Sequence, residues 1–274
     1  SFLSFLLCSL THYKQRRTMK VSSITPAVLK DWQYTLKEAG LSSSSVNRVR
    51  STLSPIFERA VDDGVLTYNP LKRVKQLYVS PETSRGAFTI DEIQKLFSLE
   101  WDSPLAKLAC LLSSFTGMRM GEVRALKAGA IRNGYIIVSL ALDGNSNEKS
   151  TKSGRIRYCP IPEQLEKELL RYARKSDDWI FTLNGIKPVG AKYILNNLKK
   201  EMDRIGINHN AENLTFHSFR HFFNSQLVAA GVQGELVRAV IGHESEKMTE
   251  RYLHLSPDQM NVVRNVQEGL RALL

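Results

Sequence analysis

Four short stretches of this 274-residue chain carry side chains able to act on a phosphate ester. The first is Thr116-Gly117-Met118-Arg119-Met120-Gly121-Glu122, with an arginine between two glycines. The second is Thr151-Lys152-Ser153-Gly154, the third His217-Ser218-Phe219-Arg220-His221. The fourth is Gly242-His243, followed nine residues later by Tyr252. Singly, each is weak. An arginine after a glycine is usually a surface or cap residue, His-x-x-Arg opens many helices, and a lone tyrosine usually packs with its hydroxyl bonded. Together they share one chemical logic. Two arginines offer permanently charged, fork-shaped donors for the non-bridging oxygens of a phosphodiester. Two histidines exchange protons near neutral pH, and a lysine on a hairpin can serve as a general acid. A tyrosine hydroxyl becomes a nucleophile where cations favour its phenolate. No acidic cluster accompanies them to hold a metal, so cationic side chains would have to stabilise the transition state.

Charge points to the same substrate class. Lys and Arg number 38 against 27 Asp and Glu, a net charge of +11, with pI ≈ 9.6. A chain this basic commonly meets a polyanion, nucleic acid first. From Ser1 to Ala87 basic residues outnumber acidic ones by 13 to 6, so the front third carries most of the excess. The bland alternative is a solvated basic face. Apolar residues make up 42% and the mean hydropathy is −0.24, an ordinary globular composition. The apolar opening Phe2 to Leu10 is about half the ~20 residues of a membrane span and lacks the flanks of a signal peptide. Cys8, Cys110 and Cys159 form no paired motif, which argues against a disulfide framework or zinc ribbon.

The elements that must position these residues are mostly helical. Thr25-Pro26 reads as a cap and first turn, continued by Val28, Trp32 and Leu36 and closed at Gly40. Ser42 to Ser45 leads into a stripe of Val46, Val49, Leu53, Ile56 and Val61, with Pro55 expected to kink it or divide it in two. Asn69-Pro70 ends this block. A linker over 80–87 separates a helical domain, 1–79, from a second domain, 88–274. In the second, Thr89 and Glu92 have capping-box spacing and Pro104 opens a helix carrying Leu105, Leu108, Leu112 and Phe115. Tyr135 to Leu142 is expected as one strand, Asp143-Gly144-Asn145 as its turn, and Arg155 to Ile161 as the next strand, with Lys152 at the hairpin tip. From Pro162 onward the pattern is helical. The last helix, from Ser256-Pro257, carries Met260, Val263, Val266, Leu270 and Leu273 on one stripe.

The order Arg119, Lys152, His217-x-x-Arg220, Gly242-His243, Tyr252 resembles that of the tyrosine recombinases, the phage-integrase family. The likeness covers nearly the whole chain, although residues 2–17 only partly match the extra core-binding helix of the family and no amino-terminal arm-binding module is seen. It implies a mainly α fold with a small antiparallel sheet (α+β), in which a core-binding domain and a catalytic domain form a C-shaped clamp on DNA. It implies a site-specific recombinase or integrase that cuts and rejoins DNA through a 3′-phosphotyrosine, without metal, ATP or other cofactor. Tyr252 would be the nucleophile, Arg119 and Arg220 the phosphate clamp and His243 a third donor. Lys152 would protonate the leaving oxygen, with Lys149 as its rival, and His217 would move the proton of the tyrosine. Glu122 would orient Arg119 or His217, and Gly242 would let a helix end beside the phosphate. His221 reads as a packing residue, and His12, His209 and His254 as surface or packing histidines. Arg48, Lys72, Arg73, Lys75 and Arg157 are candidate DNA contacts. The implied partners are duplex DNA bearing a recombination site, three further copies in a tetramer linked by an exchanged C-terminal helix, and accessory DNA-bending proteins. The implied location is the cytoplasm, at the nucleoid of a cell that carries a mobile element. A type IB topoisomerase-like enzyme, a telomere resolvase and a non-catalytic DNA-binding regulator stay open as alternatives.

Overall fold

The computed structural model describes residues 20–79, 86–150, 156–242 and 257–274. They divide into two compact units, with the boundary between Thr83 and Ser84.

The first unit is built on two helices, α1 (Pro26–Glu38) and α2 (Ser43–Asp62). Thr25 Oγ1 accepts from the Val28 backbone N–H at 3.3 Å, and Ser42 Oγ from that of Ser45 at 3.2 Å, so both helices begin on side-chain caps. Leu29, Trp32 and Leu36 of α1 pack with Val46, Leu53 and Phe57 of α2 and with Leu71 and Val74 beyond it. Phe57 takes the buried place expected of Ile56, which lies exposed one residue earlier. The helix runs through Pro55 as one element rather than two. Two side chains of α2 pin the exit segment. Asn47 exchanges two hydrogen bonds with the Leu77 backbone, and Arg50 Nη2 donates to the carbonyls of Leu71 and Val74 at 2.8 and 2.7 Å.

The second unit opens with α3 (Ile90–Ser98), started by the Thr89–Glu92 capping box with both reciprocal bonds made. Its centre is α4 (Pro104–Thr116), buried along nearly its whole length. The short α5 (Met120–Arg124) follows Gly117, which ends α4 in the left-handed conformation at φ 64°. Strands β1 (Ile131–Arg132), β2 (Tyr135–Val138) and β5 (Arg157–Pro160) form an antiparallel sheet in which Ile136 faces Cys159 and Val138 faces Arg157. Strands β3 (Leu140–Leu142) and β4 (Glu148–Ser150) form a separate hairpin turning at Asp143–Asn147.

The single strand expected over 135–142 therefore breaks at Ser139, and its halves join different sheets. The second half is drawn aside by α5: a Cβ on Gly121 would stand 2.5 Å from the Leu142 carbonyl oxygen, so the two backbones touch. After α6 (Glu163–Leu170) the helical expectation also fails, because residues 171–190 are irregular. Backbone bonds tie this stretch to 126–129 (Ala128 N to Asp178 O, Ile180 N to Leu126 O), and Ile180 and Phe181 are buried there. Then come α7 (Ala191–Arg204), α8 (Phe216–Ala229), which packs on α4, and α9 (Gly234–Ile241).

The chain ends in α10 (Pro257–Gly269) and a 3₁₀ turn at Arg271–Leu273. Its stripe docks on its own unit, burying Met260, Val263, Leu270 and Leu273. Gln267, also buried, donates to the carbonyls of Phe115 and Pro160 at 2.8 and 2.7 Å, tying the tail to the ends of α4 and β5. In the single chain the described part of the tail therefore packs on its own unit. Among the described residues no helix is long and apolar enough to cross a membrane.

Candidate active site

Glu122 is the hub of a buried ion cluster, with a carboxylate shared by two arginines. Arg157 approaches as a fork, Nη1 donating to Oε1 at 3.1 Å and Nη2 to Oε2 at 2.6 Å. Arg119 donates through Nη1 to Oε1 at 3.0 Å and through its backbone N–H to Oε2 at 2.8 Å. The second bond makes Glu122 the reciprocal cap of α5, so the residue that starts the helix is also the one held for chemistry. Local sequence explains this geometry. Gly117 accepts the left-handed turn, Arg119 follows extended, and Glu122 comes round three residues later on the same face.

Arg220 stands in the same cluster from α8. It is only 2% exposed, and its Nη1 donates to the Gly117 carbonyl at 2.7 Å. Its Nη2 is buried with no partner among the described residues. Burial lowers its pKa to about 9, and the neighbouring positive charges of Arg119 and Arg157 add to the fall. Burial would raise the Glu122 carboxyl, but Arg157 and then Arg119 outweigh it and hold the carboxyl below the ordinary range. Three guanidinium groups thus stand near one carboxylate that bonds only Arg119 and Arg157, and the surplus charge falls on Arg220. An oxyanion would supply the missing negative charge and the missing acceptor at once.

Gly242 closes α9 in the left-handed conformation at φ 76°. Its carbonyl accepts from Arg119 Nη2 at 2.9 Å, and a Cβ there would come within 3.3 Å of Arg157. The left-handed φ is what favours glycine here, and Arg157 packs against the position. His217, half-buried at the start of α8, meets His221 edge to face with ring centroids 4.8 Å apart. Lys149 lies exposed on β4 opposite Ala141. Lys152, His243 and Tyr252 lie outside the described residues; His243 directly follows Gly242 in the chain.

Arg157 is the main correction among the expected DNA contacts. It is buried, its Nε donates to the Val240 carbonyl at 3.1 Å, and both terminal nitrogens are committed to Glu122. The signal was its strand register, since Arg157 and Cys159 share the inward face of β5 and an inward charge needs a partner. Glu122 pairs with both Arg119 and Arg157, where the sequence pointed to Arg119 or His217. Arg48, Lys72, Arg73 and Lys75 are exposed on the first unit, with Lys72 paired to Glu58 at 3.1 Å and Arg73 over the Tyr68 ring at 4.5 Å. Arg124, which the motif reading passed over, is buried at the far end of α5. Among the described residues no group of three or more His, Cys, Asp or Glu side chains is placed to hold a metal.

Residues 88–259 match the sequence profile of the phage integrase family. The ICEBs1 integrase of Bacillus subtilis (strain 168) is 28% identical over 267 residues, covering 91% of this chain and 72% of that protein. In fold, the chain is similar to the Tn1549 transposon integrase in complex with a circular intermediate DNA, at a TM-score of 0.75 and 20% identity, covering 96% of this chain and 93% of that one. It is also similar to lambda integrase in a tetramer bound to a Holliday junction, at a TM-score of 0.65 and 18% identity, covering 92% and 74%. With the motif order, the arginine cluster and a profile match over more than half its length, the chain belongs to the phage integrase family, the tyrosine recombinases that break and rejoin DNA at specific sites.

Proposed function

We propose that the chain recombines duplex DNA at a specific site through a 3′-phosphotyrosine formed on Tyr252. The observation that carries this reading is the buried Arg220, short of one acceptor and one negative charge in a cluster with Arg119. The scissile phosphate fits that deficit. Arg220 and Arg119 hold its non-bridging oxygens, His243 adds a third donor, and Glu122 with Arg157 fixes the angle of Arg119. The Tyr252 oxygen bonds to phosphorus as the bond to the 5′-oxygen breaks. Lys152 gives its proton to that oxygen, and His217 takes up the proton of the tyrosine. One phosphoester replaces another, so the step is close to balanced and is reversed by an incoming 5′-hydroxyl from the partner duplex.

Exchange between two duplexes calls for a homotetramer. The lambda integrase tetramer on a Holliday junction supports that assembly, and the Tn1549 complex supports circular DNA of a mobile element as the substrate class. The exposed Arg48, Lys72, Arg73 and Lys75 supply backbone contacts, the C-terminal helix is the element for contact between copies, and bending proteins shape the site. The reaction belongs in the cytoplasm, at the nucleoid. The test is a nicked suicide duplex from which the released fragment cannot religate. Wild type should accumulate a covalent adduct whose DNA can be sequenced, while Tyr252→Phe should bind DNA almost normally and form none. An adduct that persists in the Phe variant overturns the assignment.

A further inference from the structure

The β3–β4 hairpin contains a conformation that its own sequence does not explain. Ser146 has φ 66°, in the left-handed region that residues with a Cβ seldom adopt. Asp143 organises much of the turn: its carboxylate accepts from the backbone N–H groups of Asn145 and Asn147 at 2.8 and 2.9 Å, and its carbonyl from Ser146 N–H at 3.1 Å. The hold from outside the hairpin is Arg124. Its Nη2 donates to Ser146 Oγ at 2.6 Å and its Nη1 to the Asp143 carbonyl at 3.4 Å, while its Nε donates to the Val189 carbonyl at 2.7 Å, just before α7.

This arginine is only 2% exposed, yet every acceptor it holds is a neutral oxygen. Burial lowers its pKa, and the nearby Asp143 offsets only part of that. A side chain needed only to fill this space would be apolar and avoid the desolvation. Three acceptors on two separate segments call for the planar fork. Arg124 and Arg119 stand at opposite ends of α5, whose five residues span ~7.5 Å, and Gly121 between them brings that helix against β3.

We propose that Arg124 is a positioning residue, locking the β3–β4 hairpin to the helix that carries Arg119 and so setting where the lysine arm of the hairpin meets the leaving group. Lys149 lies on β4, and Lys152 follows two residues after Ser150 in the sequence. The link to the leaving group rests on the function proposed above; the lock on the hairpin does not.

Two measurements on the full chain separate these layers. In hydrogen exchange, Arg124→Met should speed exchange over residues 145–150 by about tenfold or more while α4 and α8 stay unchanged, and Ser146→Ala, which keeps the Cβ and removes only the hydroxyl, should do so more weakly. In single-turnover cleavage, the duplex carries the sequence recovered from the covalent adduct, with either a bridging 5′-oxygen or a bridging 5′-sulfur at the scissile phosphate. Sulfur departs without a proton, so it bypasses the general acid. Arg124→Met should slow the oxygen ester by about 10- to 100-fold and the sulfur ester by less than about threefold, with Arg124→Lys in between. Unchanged exchange in the hairpin overturns the proposal, as does an equal loss on both esters, which is what mere destabilisation produces. Should Arg124→Met not fold, Ser146→Ala carries both measurements. A wild type that attaches to neither duplex overturns the assignment of Tyr252 instead, and the exchange data still decide the lock.

Discussion

Two groups of basic residues in this chain have the same chemistry and opposite circumstances. On the first unit, Arg48, Lys72, Arg73 and Lys75 lie in water, where their charge is screened and their geometry loose. In the second, Arg119 and Arg157 converge on Glu122 at 2.6 to 3.1 Å, and Arg220 stands beside them, bonded to the Gly117 carbonyl and left incomplete. The first group supplies affinity in small increments that salt erodes. The second supplies preorganised charge, maintained by the rest of the fold at a desolvation cost. A single residue should therefore matter greatly in one group and little in the other.

The sharpest way to break that contrast is Glu122→Gln. The exchange keeps the shape and removes the carboxylate that balances three guanidinium groups. Breaking a buried pair from one side costs about 3–5 kcal/mol, so denaturant unfolding should show a loss of that order and cleavage should fall below detection. The sign of the pH effect follows from the same pairing. The Glu122 carboxyl is held low in the folded state, so its contribution is present above the unfolded pKa and disappears as pH falls through the depressed folded value. Wild type should lose this increment on acidification and Glu122→Gln should not. If the variant is as stable and as active as wild type, the cluster is a passive ion pair.

Arg220→Lys is the next largest. It keeps one charge and loses the fork, and a missing oxyanion donor costs about 10²-fold in cleavage. Binding of sulfate, a dianion throughout this range, gives a second readout by calorimetry. With the Arg220 pKa lowered to about 9, sulfate affinity should fall by up to about tenfold per pH unit above 9 as the guanidinium deprotonates. A flat profile through pH 10 would mean that Arg220 keeps its proton without an anion, and the charge surplus would have to be neutralised elsewhere.

Sequence was informative about these two groups to different depths, for a physical reason. Caps are local: Thr25-Pro26, Thr89 with Glu92, and Ser103-Pro104 each set a helix start through bonds within four residues. Residue type and order singled out Arg119, His217 and Arg220, and the structure places Arg119 and Arg220 in one cluster. The burial of Arg157 was not legible in the same way, since it depends on Glu122 and Val240, 35 and 83 residues away. The break at Ser139 comes from α5 pressing on Leu142, and the irregular course of 171–190 from pairing with 126–129. The apolar stripe of the tail was plain, but only the folded chain shows Gln267 reaching Phe115 and Pro160.

The smallest effect belongs on the exposed side of the contrast. Lys72 pairs with Glu58, which also accepts from Asn69 Nδ2 at 3.0 Å, while Arg73 lies over the Tyr68 ring. Neither is buried, so each can leave its intramolecular partner for a phosphate with little reorganisation. Replacing either with Met should weaken binding to random-sequence duplex a few-fold and make the slope of log K against log salt shallower by about 1. Cleavage of DNA already bound at saturation should not change. The double variant should show the sum of the two slope changes, because separate phosphate contacts release separate counterions. A loss of saturated cleavage in either variant would place these residues with the Glu122 cluster in function despite their exposure. An unchanged salt slope would show that duplex DNA does not touch this face and that the +7 of the first 87 residues acts only at long range.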